Sequence, residues 1–201
     1  MTANSSILLT HLIACVDLEA TCCDDDSFPR SEMEIIEFGC TVVDPQDDYK
    51  VVATYNTFVR PVVHPTLTDF CKNLTTINQS DVDGADTWID VSRDIESFFD
   101  DLEAHEQRPI AWTSWGDYDR NQISKECRRW YIASEPMPEL HFNLKRLDAA
   151  WRNTTKEHGL RGTIQRLGLT FPGTLHRASD DAAAVAMVLK AIGPGLIRSK
   201  L

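Results

Sequence analysis

The stretch Leu12-Ile-Ala-Cys-Val-Asp17-Leu-Glu19-Ala-Thr-Cys-Cys23 is an apolar run that ends abruptly in two carboxylates. On a strand, side chains alternate between faces, so Asp17 and Glu19 project from the same face, roughly 7 Å apart along the backbone. Bent to about 5 Å, two such anions repel by roughly 3 kcal/mol at an effective dielectric near 20. A cation would turn that cost into a binding site. The plain alternative is a strand that surfaces here with both carboxylates solvated, so further ligands must come from elsewhere in the chain.

Working outward, the Ile7 to Val16 run is interrupted by Thr10 and His11, no Lys or Arg precedes it, and no stretch reaches 18 apolar residues. It reads as a strand, neither a signal peptide nor a membrane span. Residues 34–43, Glu-Ile-Ile-Glu-Phe-Gly-Cys-Thr-Val-Val, form a β-branched second strand closed by Asp44-Pro45. Residues 51–59 form a third strand, and the short connections predict an antiparallel meander.

From residue 64 the period changes. Leu67, Phe70, Cys71 and Leu74 suit a short helix, residues 78–83 a further turn, and 88–103 a longer amphipathic helix. Residues 109–113, Pro-Ile-Ala-Trp-Thr, make a fourth strand. Gly116-Asp117 opens a helix bearing Ile123, Cys127 and Tyr131 at four-residue spacing. Helical segments follow over 141–152 and 156–167, and a last one, 179–192, stops at Gly193-Pro194. Strands first and helices later predict an α/β fold, a mixed sheet flanked by helices.

At 201 residues, with 42% apolar and 25% charged composition, the chain suits one globular domain, with a core over about 8–193. Six cysteines without a Cys-x-x-Cys pair predict a reducing, cytoplasmic setting. The net charge of −11 argues against a passive nucleic-acid coat. It is uneven, however: residues 1–119 hold 6 basic and 24 acidic side chains, and residues 120–177 hold 11 basic and 5 acidic. That second stretch either recruits a polyanion or decorates solvated helix faces.

Three positions can join the Asp17 pair. Asp119 shares a helix face with Ile123, so packing Ile123 on the sheet holds Asp119 near the sheet's end; Asp117 competes, and reads better as the N-cap. Ser179 can cap the last helix, leaving Asp180 and Asp181 in its first turn, with His176 five residues before Asp181. Either set also fits helix-dipole compensation. Taken together, carboxylates from separate elements suit a two-metal site for hard divalent ions, and a neutral His beside it can accept a proton from water.

In this order, Asp17-Leu-Glu-Ala-Thr-Cys, Glu34-Ile-Ile-Glu-Phe, Asp69-Phe-Cys with Leu74-Thr-Thr-Ile-Asn-Gln, Gly116-Asp-Tyr-Asp119 and His176-x-x-x-Asp-Asp181 resemble the DEDDh superfamily of 3′-to-5′ exonucleases, in particular its three-prime histone mRNA exonuclease branch. The similarity runs from about Leu12 to Ile192. The resemblance implies an RNase H-like mixed five-stranded sheet whose first three strands are antiparallel. It implies two Mg²⁺ or Mn²⁺ ions held by Asp17, Glu19, Asp119 and Asp181, with His176 as general base. It implies release of nucleoside 5′-monophosphates from single-stranded or frayed 3′ ends.

The same resemblance puts Leu18 and Ala20 at the terminal nucleotide, Ala20 through its backbone. Trp115 is either a base-stacking residue or a buried core aromatic. The family's histone-mRNA members carry an additional nucleic-acid-binding domain for which 201 residues leave no room. Histone-mRNA specificity is therefore not carried across, and RNA is favoured over DNA only by the resemblance. The competing expectations are a DNA exonuclease of proofreading or repair type, and a regulatory module that keeps the fold without catalysis.

Overall fold

The computed structural model describes residues 3–198. Its centre is a five-stranded sheet in the order β3-β2-β1-β4-β5. The strands are β1 (Leu12–Ala20), β2 (Ile35–Asp44), β3 (Lys50–Phe58), β4 (Ile110–Ser114) and β5 (His141–Asn143). β1, β2 and β3 form the antiparallel meander, while β4 runs parallel to β1 and β5 parallel to β4. This is the RNase H-like arrangement.

Among the described residues, eight α-helices surround the sheet: α1 (Ala3–Thr10), α2 (Asp69–Thr75), α3 (Gln79–Asp83), α4 (Trp88–Glu106), α5 (Tyr118–Arg129), α6 (Leu144–Trp151), α7 (Leu160–Arg166) and α8 (Ala178–Arg198). Because β1 is covered on both sides, its alternation sorts the core. Leu12, Ala14, Val16 and Leu18 face Val91, Ile95 and Phe99 of α4 and Ile123 and Cys127 of α5. Ile13 and Cys15 face Val185, Val188 and Leu189 of α8, with Leu144 and Ile164 behind. Asp17 and Glu19 continue the second series, so they emerge on the side where α8 begins.

Several boundaries differ from those expected: the helix read over 156–167 forms only from Leu160, and α4 runs on to Glu106. Residues 7–10 belong to α1 and not to the first strand, and Leu8 is buried in the α8-side core. Residues 141–143 are strand before α6 begins, pairing Trp112 with His141 and Ser114 with Asn143. α5 ends at Arg129, so Tyr131 adds nothing to its apolar face: it is 95% exposed at φ 55°. α8 starts at Ala178, one residue before the expected Ser179 cap, and runs through Pro194 to Arg198. There the glycines serve packing, since a Cβ on Gly193 would lie 2.0 Å from the Tyr49 hydroxyl and one on Gly195 2.5 Å from Trp151 Nε1.

The six cysteines are free thiols. Among the described residues, no helix is long and apolar enough to cross a membrane.

Candidate active site

The site lies where the carboxyl ends of the parallel strands β1 and β4 meet the first turns of α5 and α8. In open α/β sheets, strand ends leave such a crevice because the flanking helices diverge there. Here it is a cleft of about 340 Å³ whose lining includes Asp17, Glu19, Asp119, His176 and Asp181.

Carboxylate oxygens of Asp17, Glu19 and Asp181 lie within 4.8 Å of one another. Asp17 and Glu19 come from β1, as alternation requires, and Asp181 from the first turn of α8. That turn can approach because Gly39 of β2, the register partner of Asp17, carries no side chain. A Cβ there would sit 2.2 Å from the backbone of Ala178. Asp119 stands outside this trio but in the same cleft. It is buried, and its Oδ1 accepts a hydrogen bond from the Leu18 amide at 3.2 Å, between the two β1 carboxylates.

The electrostatics match the crowding. Burial, then the neighbouring carboxylates Asp119, Asp181, Glu19 and Glu37, hold the Asp17 carboxyl far above the usual carboxylate range. Burial and then Asp181, Glu37 and Asp119 push Glu19 up to about 8. Asp119 is pushed up to about 6 by burial, against hydrogen bonds from its own amide, Leu18 and Ser114 that pull the other way. Burial also raises Asp181, partly offset by the His176 amide, which donates to its Oδ2 at 2.8 Å. Four desolvated anions are costly without a counter-charge. The donors are all carboxylate oxygens, which suits a hard divalent cation such as Mg²⁺ or Mn²⁺.

His176 is exposed at the rim, with its backbone in the left-handed region at φ 61°. A non-glycine residue is uncommon there, and the Asp181 hydrogen bond fixes it. Asp117 occupies the N-cap position of α5, as its spacing suggests, but its side chain makes no capping bond; it pairs with Arg146 at 2.6 Å. Leu18 turns its side chain into the α4 and α5 core, and its amide is committed to Asp119. Ala20 borders the cleft.

Trp115 also borders the cleft, but it packs on the α8-side core and donates its indole N–H to the His158 carbonyl at 3.0 Å. The aromatic residue open to the cleft is Tyr118, 48% exposed. Sequence reasoning passed over it between Asp117 and Asp119. Its place one residue before Asp119, in the first turn of the same helix, was the available signal. Leu74 and Met33 also line the cleft.

The surroundings hold this geometry. Buried Glu34 accepts the amides of Val62, Val63 and His64 at 2.7, 2.9 and 2.8 Å, fixing the loop that leads into α2. In the basic stretch 120–177, Arg129, Lys145, Arg146, Arg152, Arg166 and Arg177 are each engaged in ion pairs with carboxylates of this chain. Much of that positive charge is therefore structural.

Known proteins are similar to this chain in fold and in overall sequence. The nuclease domain of 3′hExo, described as a DEDDh family member bound to rAMP, superimposes with a TM-score of 0.83 at 24% identity, over 92% of each chain. The 3′-5′ exonuclease eri1 of Schizosaccharomyces pombe is 26% identical over 94% of this chain and 70% of its own length. ERI1 exoribonuclease 2 of Xenopus laevis is 29% identical over 85% of this chain and 27% of its own length, and human 3′-5′ exoribonuclease 1 is 26% identical over 88% and 50%. The chain thus spans about a quarter of the frog relative and half of the human one. The RNase T exonuclease family model matches residues 14–189, nearly the whole of this sheet and its helices, and the chain belongs to that family.

Proposed function

We propose that this chain is a metal-dependent 3′-to-5′ exoribonuclease that releases nucleoside 5′-monophosphates from single-stranded or frayed 3′ ends. The observation that carries the reading is the convergence of Asp17, Glu19 and Asp181 oxygens within 4.8 Å in a cleft shared with Asp119 and His176. The names of the frog and human relatives favour RNA.

In this reading Asp17, Glu19 and Asp181 would hold one Mg²⁺ or Mn²⁺ ion, and Asp17 with Asp119 would hold a second. When bound, the ions supply polarisation of the attacking water and stabilisation of charge on the departing 3′ oxygen. His176 accepts the proton of the attacking water, which its rim position exposes to solvent for release. Tyr118 offers its ring face to the terminal base, and Ala20 its backbone to the terminal nucleotide. Arg120, Arg128, Lys156 and Arg161, which make no ion pair among the described residues, remain to attract the phosphate backbone. The 201 residues act as one exonuclease domain, and the free thiols support a reducing, cytoplasmic setting.

Labelled RNA and DNA oligomers of one sequence, digested side by side with Mg²⁺ or Mn²⁺, test the proposal. Faster stepwise loss of 5′-monophosphates from the RNA is expected. Preference for DNA moves the chain to a repair or proofreading role, and absence of any mononucleotide makes it a non-catalytic module.

A further inference from the structure

One ion pair beside the acidic cluster, its carboxylate fully buried, anchors the segment that carries His176 and Asp181. Glu37 lies on β2, opposite Glu19 in register, and is fully buried. A fifth carboxylate so close to the other four adds repulsion that the fold must answer. It is answered by Arg177, whose Nε and Nη2 reach Glu37 Oε2 and Oε1 at 3.1 and 2.8 Å, a two-point fork. Glu37 Oε2 also accepts the Ala178 amide at 3.0 Å, and Oε1 accepts Asn56 Nδ2 at 3.3 Å. The guanidinium further lies 5.4 Å from the centre of the Phe58 ring.

Arg177 is the hinge between the two residues that matter chemically. It follows His176 directly, and its carbonyl accepts the amides of Asp180 and Asp181 at 3.0 and 2.9 Å, starting α8. The left-handed backbone of His176 is held on one side by Asp181 and on the other by the anchored Arg177. Arginine fits this duty because its planar fork fixes direction as well as charge, which an ammonium does not.

We propose that Glu37 and Arg177 form a positioning pair that sets the placement of His176 and Asp181 for catalysis. The inference rests on the exonuclease reading above. A displacement of about 1 Å at a reacting group is enough to cost roughly 100-fold in rate, so the pair acts on turnover more than on substrate binding.

The test compares Glu37→Gln, Arg177→Met and the neutral double variant, using thermal unfolding, kcat and KM on a labelled RNA oligomer, and Mn²⁺ affinity by electron paramagnetic resonance. Arg177→Met strands the buried Glu37 carboxylate and Glu37→Gln leaves the part-exposed Arg177 without its partner, so each single variant loses stability; the double variant, with both charges gone, regains it. A positioning pair predicts kcat at least about 10-fold down in all three variants with KM within about 3-fold, and no recovery of kcat when stability recovers. It also predicts weaker Mn²⁺ binding in both single variants. A double variant that regains parental kcat would show that the pair serves stability alone. If Glu37→Gln weakened Mn²⁺ binding and Arg177→Met strengthened it, the pair would act only through its field, and positioning would be overturned. A parent chain that releases no mononucleotide from RNA or DNA refutes the exonuclease reading, while the Mn²⁺ affinities still decide the role of the pair.

Discussion

Asp119 Oδ1 accepts the backbone amide of Leu18 at 3.2 Å, joining residues 101 positions apart at the point where β1 passes between its two carboxylates. The bond makes Asp119 both a strut and a charge. Asp119→Asn can keep the acceptor while losing the charge, so turnover should fall at least about 100-fold with the melting temperature equal to or above the parent's. Asp119→Ala strands a buried amide, at a cost of about 1–3 kcal/mol. Unfolding by circular dichroism beside a nucleotide-release assay separates the two losses.

Because the anions of the cleft repel one another, a divalent cation should stabilise the folded chain. At 100 times its dissociation constant the gain is about 2.7 kcal/mol. For a chain of this length that corresponds to a rise of roughly 5–10 °C in melting temperature, reversed by a chelator. Asp17→Asn removes the central anion. The metal-free variant should melt above the metal-free parent, and Mn²⁺ should no longer raise it. A parental rise with Mn²⁺ in Asp17→Asn would remove Asp17 from the ligand set.

How much of this could be read beforehand depends on what each element signals. β1 was legible because its apolar run stops at Asp17 and Glu19, and β2 through its β-branched residues. The first turns of α5 and α8 were legible because Asp119 shares a helix face with Ile123 and because Asp180 and Asp181 open an alanine-rich helix. α1 was not, since Ile7 and Leu8 simply extend the run that becomes β1, and only contact with α8 makes them helical. β5 spans three residues, too few to show a period, and exists through pairing with Trp112 to Ser114. Gly193-Pro194-Gly195 carries the composition of a helix stop, yet the bulk of Tyr49 and Trp151 is what those glycines answer. Trp115 and Tyr118 flank the same turn and both border the cleft; Trp115 is tied into its wall by the indole bond to His158, a partner 43 residues away.

His141 shows a pH dependence independent of the acidic cluster. It packs on Trp112 with ring centres 4.2 Å apart, and its Nε2 lies 3.3 Å from Ser114 Oγ. Burial, then the charge of Arg120, push it down to about 4, with Asp117 opposing. The unfolded value is about 6.5. The folded form therefore holds fewer protons inside that window, and the stabilisation present above pH 6.5 is lost as pH falls toward 4. His141→Gln should lose less stability than the parent between pH 6.5 and 4, measured by urea unfolding. Equal slopes for both chains would contradict this.

Trp115 and Tyr118 should separate cleanly. Trp115→Ala empties packed volume on the α8 side and should cost about 3 kcal/mol in stability. Tyr118→Ala, from a half-exposed position, should leave the melting temperature within about 2 °C of the parent. Its effect should fall on substrate instead, raising KM roughly 10-fold through loss of a base-stacking face. Steady-state kinetics on a short RNA oligomer reads both.

Gly39 tests whether the approach of α8 to the sheet is the limiting feature of the site. A methyl group there meets the carbonyl carbon and oxygen of Ala178 at 2.2 Å, and both are backbone atoms that cannot rotate away. The helix start must move outward, and Asp181 with it. Overpacking of this kind costs about 1–3 kcal/mol, and the rigid neighbour places Gly39→Ala at the upper end. Melting should fall by roughly 5–10 °C. Turnover at a temperature where the variant is fully folded should still be down at least about 10-fold, because Asp181 is displaced from Asp17 and Glu19. Gly162 supplies the contrast: it lies exposed within α7, with nothing within 4 Å of an added Cβ. Gly162→Ala should stabilise by about 0.5–1 kcal/mol and leave turnover unchanged. If Gly39→Ala folded and turned over like Gly162→Ala, close contact between β2 and the first turn of α8 would not be what assembles the carboxylates.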